Sequence, residues 1–341
     1  MTIKDVARRS GYAVGTVSRV LNDSPGVSKQ AREKVLKAVR ELGFTPNSNA
    51  RSLKQRASSG YGIIVKGAGN LLFAGIVEEM QRLLEAAGRA VSLYYVDEDG
   101  DEVELAAQLC REQKPLGLLF LGGNREKFIR RFSAVACPCV LVTTRADSLD
   151  FSNLSSVSTD DMAGAAEAMG YLLDLGHRQV GIIGGVSCFI SPAAPCNTSQ
   201  LRLLGCQQAF LQRGLPFAPE RQAIASRFSL EGGYEAANVL LGRESGLTAI
   251  LAMSDVMALG ALRAIHDRGL HVPEDISLIG YDGIEQAAYC VPRLATIRQN
   301  AGQLAKRGID ILLQQTDGGR PVHEIIPFQF VRGESVRALR Q

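Results

Sequence analysis

The sequence predicts an α/β chain in which an N-terminal all-α helix-turn-helix headpiece precedes two doubly wound parallel α/β lobes. Three observations lead there. Residues 3–22, IKDVARRSGYAVGTVSRVLN, have the spacing of two short helices around a glycine turn. Basic residues concentrate before residue 57. From Tyr61 onward, short β-branched or aliphatic runs alternate with amphipathic segments, and parallel strands joined by crossover helices are what such alternation means.

The elements follow in order. Thr2 can cap the first helix, Asp5 stands three positions on in capping-box spacing, and Ile3, Val6 and Ala7 make one apolar stripe. Gly11 ends the helix by supplying a left-handed turn, Ala7 lets the next helix approach, and Val17 fills the small core between them. The second helix, Val14 to Asn22, is placed to enter a major groove with its first turn against base edges, Thr16, Ser18 and Arg19 facing outward. An ordinary helical hairpin shares these small-residue spacings, so the neighbourhood has to decide. A third helix follows Pro25-Gly26-Val27, capped by Ser28, with Val35, Ala38, Val39 and Leu42 inward and Gly43 as its stop. Pro46-Asn47 then opens NSNARSLKQRASSG, where only Ala50 and Leu53 are apolar at helical spacing; by composition this is a linker.

Charge supports the division. Up to Arg56 there are 12 Lys and Arg against 4 acids, a net of +8, whereas the remaining 285 residues carry 26 bases against 31 acids, a net of −5. A basic head on an acidic body is the distribution expected when one segment meets phosphate.

In the body, strands are predicted at Tyr61 to Val65, Ala90 to Val96, Gly117 to Gly122, Cys139 to Thr143, Val180 to Gly185, Ala223 to Arg227, Ala249 to Met253 and Ser277 to Asp282. Helical patterns lie between them at Ala74 to Ala87, Met162 to Leu175, Ser199 to Arg213, Glu231 to Leu241 and Val256 to Arg268. So long a segment exceeds one typical α/β core, and the cleft between two lobes is the default ligand site.

Other classes fare worse. No run approaches the ~18 apolar residues that a membrane span needs, and the N-terminus is charged from Lys4 onward, so the expected location is the cytoplasm. Seven cysteines, an odd number scattered along the chain, fit reduced thiols better than a disulfide framework. Cys137-Pro-Cys139 lacks a second ligand pair, and no metal or cofactor is expected. There is no G-x-G-x-x-G after the first strand, no phosphate loop, no G-x-S-x-G and no histidine beside a nucleophile pattern, so catalysis has little support.

With these parts in this order, the whole chain resembles the lactose-repressor/galactose-repressor (LacI/GalR) family of bacterial transcription regulators. The resemblance rests on TIKDVA, TVSRVLN, VSKQAREKVLKAVRELGFTPN, ARSLK, LGHRQVGIIGG, SDVMALGALRAI, VPEDISLIGYDG and PRLATIRQ. It implies a headpiece at 1–45, a hinge-helix linker at 46–59 and an effector-binding and dimerisation domain at 60–341, whose lobes are similar to periplasmic sugar-binding proteins. The N-lobe is expected at about 60–157 and 285–316, the C-lobe at about 158–284 and 317–341. It also implies that Asn49 to Lys54 become helical only on DNA, and that Leu53 wedges into the minor groove at the centre of a near-palindromic operator. A wedge from each subunit requires a homodimer, and no leucine-heptad tail argues for more. The residues assigned to the DNA face are Thr2, Val14, Gly15, Thr16, Ser18, Arg19, Asn22, Ser28, Asn47, Ala50, Arg51, Leu53 and Lys54.

Departures from the family fall where specificity is set. Ala13 stands where a hydroxyl usually caps the recognition helix, and Val14 and Gly15 offer no side-chain hydrogen bond to a base, although Val14 can touch a thymine methyl and Arg19 can grip a guanine. For the cleft, the resemblance assigns Arg202 and Asp282 to effector oxygens and hydroxyls, Phe73 and Phe228 to its walls, Arg145 to a second clamp beside Thr144, Ser254 to the place of a frequent Asn, and Gln299 to the end of a crossover strand. A guanidinium and a carboxylate facing one ligand suit a polyol such as a sugar. SCFISPAAPCNTSQ, with Cys188 and Cys196, departs from the family's usual small loop and is placed to reshape the rim. Two alternatives stay open: a solute-binding protein without a DNA role, and a constitutive DNA binder with a vestigial pocket.

Overall fold

The computed structural model describes residues 3–13, 16, 17, 20, 28–42, 60–67, 69–184, 197–243 and 246–339. Thr2, Val14, Gly15, Ser18, Arg19, Asn22, Asn47, Ala50, Arg51, Leu53 and Lys54 lie outside them, as do Cys188 and Cys196. The chain forms two compact units, Met1–Ser58 and Ser59–Gln341.

In the first unit, α1 (Ile3–Ser10) and α2 (Lys29–Glu41) enclose Val6, Ala7, Val17, Val20, Val35 and Ala38, with Tyr12, Val39 and Leu42 packed against them. Gly11, at φ 75°, ends α1 while its amide donates to Ala7 O at 3.0 Å. Ser28 accepts from the Ala31 amide at 3.2 Å, the capping bond that its position predicts. Thr16, half-buried, and Val17 both donate their amides to Ala13 O, and the methyl side chain of Ala13 offers no capping oxygen.

The second unit holds two six-stranded sheets. The first is built from β1 (Tyr61–Lys66), β2 (Val91–Val96), β3 (Gly117–Leu121), β4 (Cys139–Val142), β5 (Leu154–Thr159) and β11 (His323–Ile326), in the order β11-β5-β4-β3-β1-β2 and parallel throughout. The second is built from β6 (Val180–Ile183), β7 (Ala223–Ile224), β8 (Ala249–Ala252), β9 (Ser277–Asp282), β10 (Ala295–Arg298) and β12 (Gln329–Val331), in the order β12-β10-β9-β8-β6-β7. Only β12 runs antiparallel to its neighbour there.

Helices sheathe both faces of each sheet, which is why strands such as GLLFL and AILA are buried from end to end. The first sheet has α3 (Leu71–Ala86) and α11 (Ala301–Thr316) on one side and α4 (Glu102–Glu112) and α5 (Arg125–Arg131) on the other. The second has α6 (Asp161–Asp174) and α7 (Thr198–Gln212) on one side, and α9 (Leu230–Arg243) and α10 (Asp255–Asp267) on the other; the single turn α8 (Pro219–Gln222) leads into β7. A Cβ at Gly260 would stand 2.0 Å from Leu230 O, and one at Gly233 2.1 Å from Met257 O, so α9 and α10 cross at a distance only glycine permits.

Strand membership corrects the expected lobe boundaries in two places. β10 lies within the span 285–316 assigned to the N-lobe, yet it pairs with β9 in the second sheet; β11 lies within 317–341 assigned to the C-lobe, yet it pairs with β5 in the first. The chain changes lobes three times, as expected, but the second and third crossings fall later than the expected boundaries, after β10 and between β11 and β12, because each lobe keeps one more strand before the chain leaves it.

Candidate functional site

The C-terminal ends of the strands open onto a cavity of 910 Å³ between the two sheets. The ends of β1, β2, β3, β4, β7, β9 and β10 deliver polar groups to it, because these strands share one direction and their loops gather at one edge. The first lobe supplies Lys66 at the end of β1, Asp97, Glu98 and Asp99 after β2, Asn124 after β3, and Thr143 and Thr144 after β4. The second supplies Asn197, Ser199 and Arg202 from the start of α7, Ser226 to Ser229 after β7, Asp282 closing β9 and Gln299 just past β10. Phe73, on α3, and Phe228 bring one aromatic wall from each lobe.

The floor is one hydrogen-bonded array. Asn197 and Gln200 form a capping box that fixes the start of α7, one and a half turns before Arg202. Arg202 Nε donates to Asp161 Oδ1 at 2.8 Å, Nη1 donates to the Met253 carbonyl, and Nη2 stands 3.7 Å from Asp282 Oδ1. Its guanidinium lies 3.6 Å above the Tyr281 ring. Gln299 Nε2 donates to Asp282 Oδ1 at 2.8 Å, and its amide donates to Asp282 O at 2.9 Å. Among the described residues no protein donor reaches Asp282 Oδ2.

Burial sets the electrostatics. Desolvation opposes the charge on Arg202, but Asp161, Tyr281 and Asp282 outweigh it and its pKa is raised. Burial pushes Asp282 up to about 6 against the pull of Arg202 and the Gln299 bond. Asp161 is likewise raised by burial despite Arg202. Behind this floor Asp255, fully buried, accepts from Thr296 Oγ1 at 2.7 Å and from the Ile284 amide at 2.8 Å; burial and the Asp282 charge push it up to about 8.

At the mouth, Arg227 of the second lobe reaches Asp99 of the first at 2.9 Å, with both side chains exposed. Lys66 is engaged below it by Glu102 at 2.7 Å and by the Gly100 carbonyl.

Phe73, Arg202, Phe228, Asp282 and Gln299 thus meet at the cavity; Arg145 and Ser254 do not line it. Thr143, at φ 68°, turns the chain after β4, so Thr143 and Thr144 face the cavity while Arg145 swings out to chelate Asp147 at 3.1 and 2.8 Å. Ser254 is buried as the N-cap of α10, its hydroxyl accepting from the Met257 amide at 3.2 Å. Of the residues that sequence reasoning passed over, Lys66 is the last residue of β1, and Asp97 to Asp99, Asn124 and Arg227 lie within three residues past the ends of β2, β3 and β7. The rule that ligands lie beyond the carboxyl ends of parallel strands was the signal for them.

A guanidinium, a carboxylate and a carboxamide sharing one floor between aromatic walls can exchange hydrogen bonds with adjacent hydroxyls. Residues 2–47 match the family model described as bacterial regulatory proteins, lacI family, and residues 169–336 match that of a periplasmic binding protein-like domain. The chain is 32% identical over 339 residues to the HTH-type transcriptional regulator MalR of Clostridium butyricum, covering 98% of this chain and 99% of that one. The chain belongs to the LacI family of bacterial regulatory proteins. It is also 30% identical over 340 residues to the transcriptional repressor PurR of Histophilus somni, covering 99% of each. Among solved structures it is similar to a complex of the regulator CelR with cellobiose, at TM-score 0.71 and 27% identity over 98% of this chain and 99% of that one. The lac repressor dimer bound to operator and the anti-inducer ONPF gives 0.69 and 27% over 99% of each. As a LacI-family member the chain is a DNA-binding transcription regulator and not an enzyme. No described helix is long and apolar enough to cross a membrane.

Proposed function

We propose that this LacI-family regulator is a cytoplasmic homodimeric repressor whose affinity for a near-palindromic operator is set by a sugar held between its lobes. The observation that carries the effector half is the floor Arg202–Asp282–Gln299, where one Asp282 carboxylate oxygen is unclaimed among the described residues beneath a cavity walled by Phe73 and Phe228. The cavity's volume falls within the ~300–1,000 Å³ typical of small-ligand sites. The solved relatives support the class of ligand, one being complexed with cellobiose.

Headpieces at 1–45 read the half-sites, in this reading, with Thr2, Val14, Gly15, Thr16, Ser18, Arg19, Asn22 and Ser28 on the DNA face. Asn47, Ala50, Arg51, Leu53 and Lys54 form the hinge contact at 46–59, Leu53 wedging into the minor groove. Effector binding shifts the population between lobe orientations, and the dimer passes that bias to the hinge.

The test selects a two-fold symmetric operator from random DNA and follows binding by fluorescence anisotropy at two salt concentrations, with and without a panel of sugars. Specific binding with a steep salt dependence, altered by one sugar and weakened by Leu53→Ala, is the expected result. Failure of every selected site to outbind random DNA overturns the DNA half, and indifference of operator binding to every sugar overturns the effector half.

A further inference from the structure

Three thiols crowd the first lobe away from the cavity. Cys110 Sγ, near the end of α4, lies 3.5 Å from Cys137 Sγ in the segment entering β4, and Cys139 donates its thiol to the Cys137 carbonyl at 3.3 Å. Cys110 and Cys137 are partly exposed, whereas Cys139 is sealed within the sheet. We propose that Cys110 and Cys137 are a redox modification site, closed to a reversible disulfide by a hydroperoxide.

The geometry prepares the step. Asn153 Nδ2 donates to Val135 O at 2.9 Å and to Cys137 O at 3.0 Å, so the segment that carries Cys137 is pinned beside α4. The disulfide requires the sulfurs to close from 3.5 Å to a bond length of about 2.05 Å. Hydrogen bonding from Cys139 comes first among the influences that hold Cys137 below the ordinary thiol range; burial opposes it and Cys110 assists. Burial raises Cys110. Cys137 is therefore the attacking sulfur and Cys110 the resolving one.

The chemistry balances. The Cys137 thiolate attacks the peroxide O–O bond, taking OH to become a sulfenic acid and releasing alkoxide or hydroxide. The Cys110 sulfur then attacks that sulfenic sulfur, expelling hydroxide, which takes up the Cys110 proton as water. Two electrons pass from the two thiols to the peroxide, and a dithiol reductant returns them.

Position separates this site from the effector cleft. β3 and β4 begin at the edge where Gly60 enters β1 and Leu116 donates to the Gly60 carbonyl, whereas the cavity lies at the opposite ends of these strands. An oxidant reaches the dithiol without crossing the cavity.

The test treats the reduced full-length chain with about one equivalent of hydrogen peroxide, blocks remaining thiols with N-ethylmaleimide, and maps tryptic peptides by mass spectrometry. The expected product links the peptide ending at Arg111 to the one beginning at Phe132, and dithiothreitol reverses it. Fragmentation at Pro138 assigns the linked sulfur to Cys137 rather than Cys139 without any variant. Cys110→Ser should abolish the link and leave a dimedone-reactive sulfenic acid on Cys137. A link through Cys139 or through a cysteine other than Cys110, or over-oxidation of Cys137 as fast in the parent as in Cys110→Ser, overturns the proposal.

Discussion

Arg202 Nη2 and Asp282 Oδ1 stand 3.7 Å apart beneath the cavity, both side chains nearly sealed from water, while the same guanidinium holds Asp161 at 2.8 Å. Two buried carboxylates thus lean on one cation. Removing the cation leaves both uncompensated, and breaking such an array costs about 3–5 kcal/mol. Arg202→Ala should lower stability by that order in urea titrations, with Arg202→Lys intermediate, because an ammonium keeps the charge but cannot address Asp161, Met253 O and Asp282 together. Equal midpoints for parent and alanine variant would refute this account.

Asp282 predicts the pH dependence of effector binding. With its pKa near 6, it is a carboxylate at pH 7 and becomes protonated as the pH falls through 6. Effector affinity should weaken from pH 7 to pH 5, approaching tenfold per unit at the acid end, and Asp282→Asn should flatten the profile while lowering affinity at pH 7. Calorimetric titration at three pH values decides it.

Asp255 predicts the pH dependence of stability. Its folded pKa near 8 lies above its ordinary 3.8, so between those values the folded chain holds a proton that the unfolded chain has lost. The contribution is fully present below about pH 4 and is lost as the pH rises through 8, giving a melting temperature that falls with rising pH in that window. Asp282 adds the same sign up to about 6. Asp255→Asn should flatten the curve; a melting temperature that rises from pH 5 to pH 8 in the parent would contradict the assignment.

Gly11 isolates a backbone effect. Its φ is 75° and an added Cβ would meet nothing within 4 Å among the described residues, so Gly11→Ala should cost about 1–2 kcal/mol through conformation. Hydrogen exchange of α1 in the full chain should quicken accordingly, with Gly11→Asn milder because asparagine tolerates the left-handed region. Unchanged exchange in Gly11→Ala would refute it.

Asp99 and Arg227 form an exposed pair between the lobes, and exposed pairs contribute about 0–1 kcal/mol. Asp99→Ala and Arg227→Ala should leave the melting temperature almost unchanged yet speed effector release, measured by stopped flow. Unaltered release in both variants would assign the pair no part in closing the cleft.

What the sequence conveyed depended on which physical signal a residue carries. Val6, Val17 and Val35 declare a helical core by their spacing, and Gly11 declares its turn, so the headpiece core was readable. Central strands such as Cys139–Val142 announce themselves by unbroken apolar runs. β5, LSSVST, does not: it reads as a polar loop, but all six residues are buried. Ser155 there bonds Gln315 at 2.9 Å, and Ser156 bonds His323 at 2.9 Å, partners about 160 residues away that no local pattern reveals. In the cleft, the resemblance pointed to Arg202 and Asp282, but the ion pair between them depends on α7 meeting β9 in space. Arg145 was misplaced because the turn at Thr143, a residue with no preference for positive φ, redirects the chain.

The three crossings between lobes, after β5, after β10 and between β11 and β12, restrict the kinematics of any ligand-driven change. Two rigid bodies joined by one flexible link have nearly free relative rotation. Three short covalent bridges, one beside Asp160 and one containing Gln299, restrict sliding and torsion between the lobes. Gln299 is therefore both a rung of the cavity floor and part of a bridge between the lobes, so a molecule that engages it there acts on the joint itself.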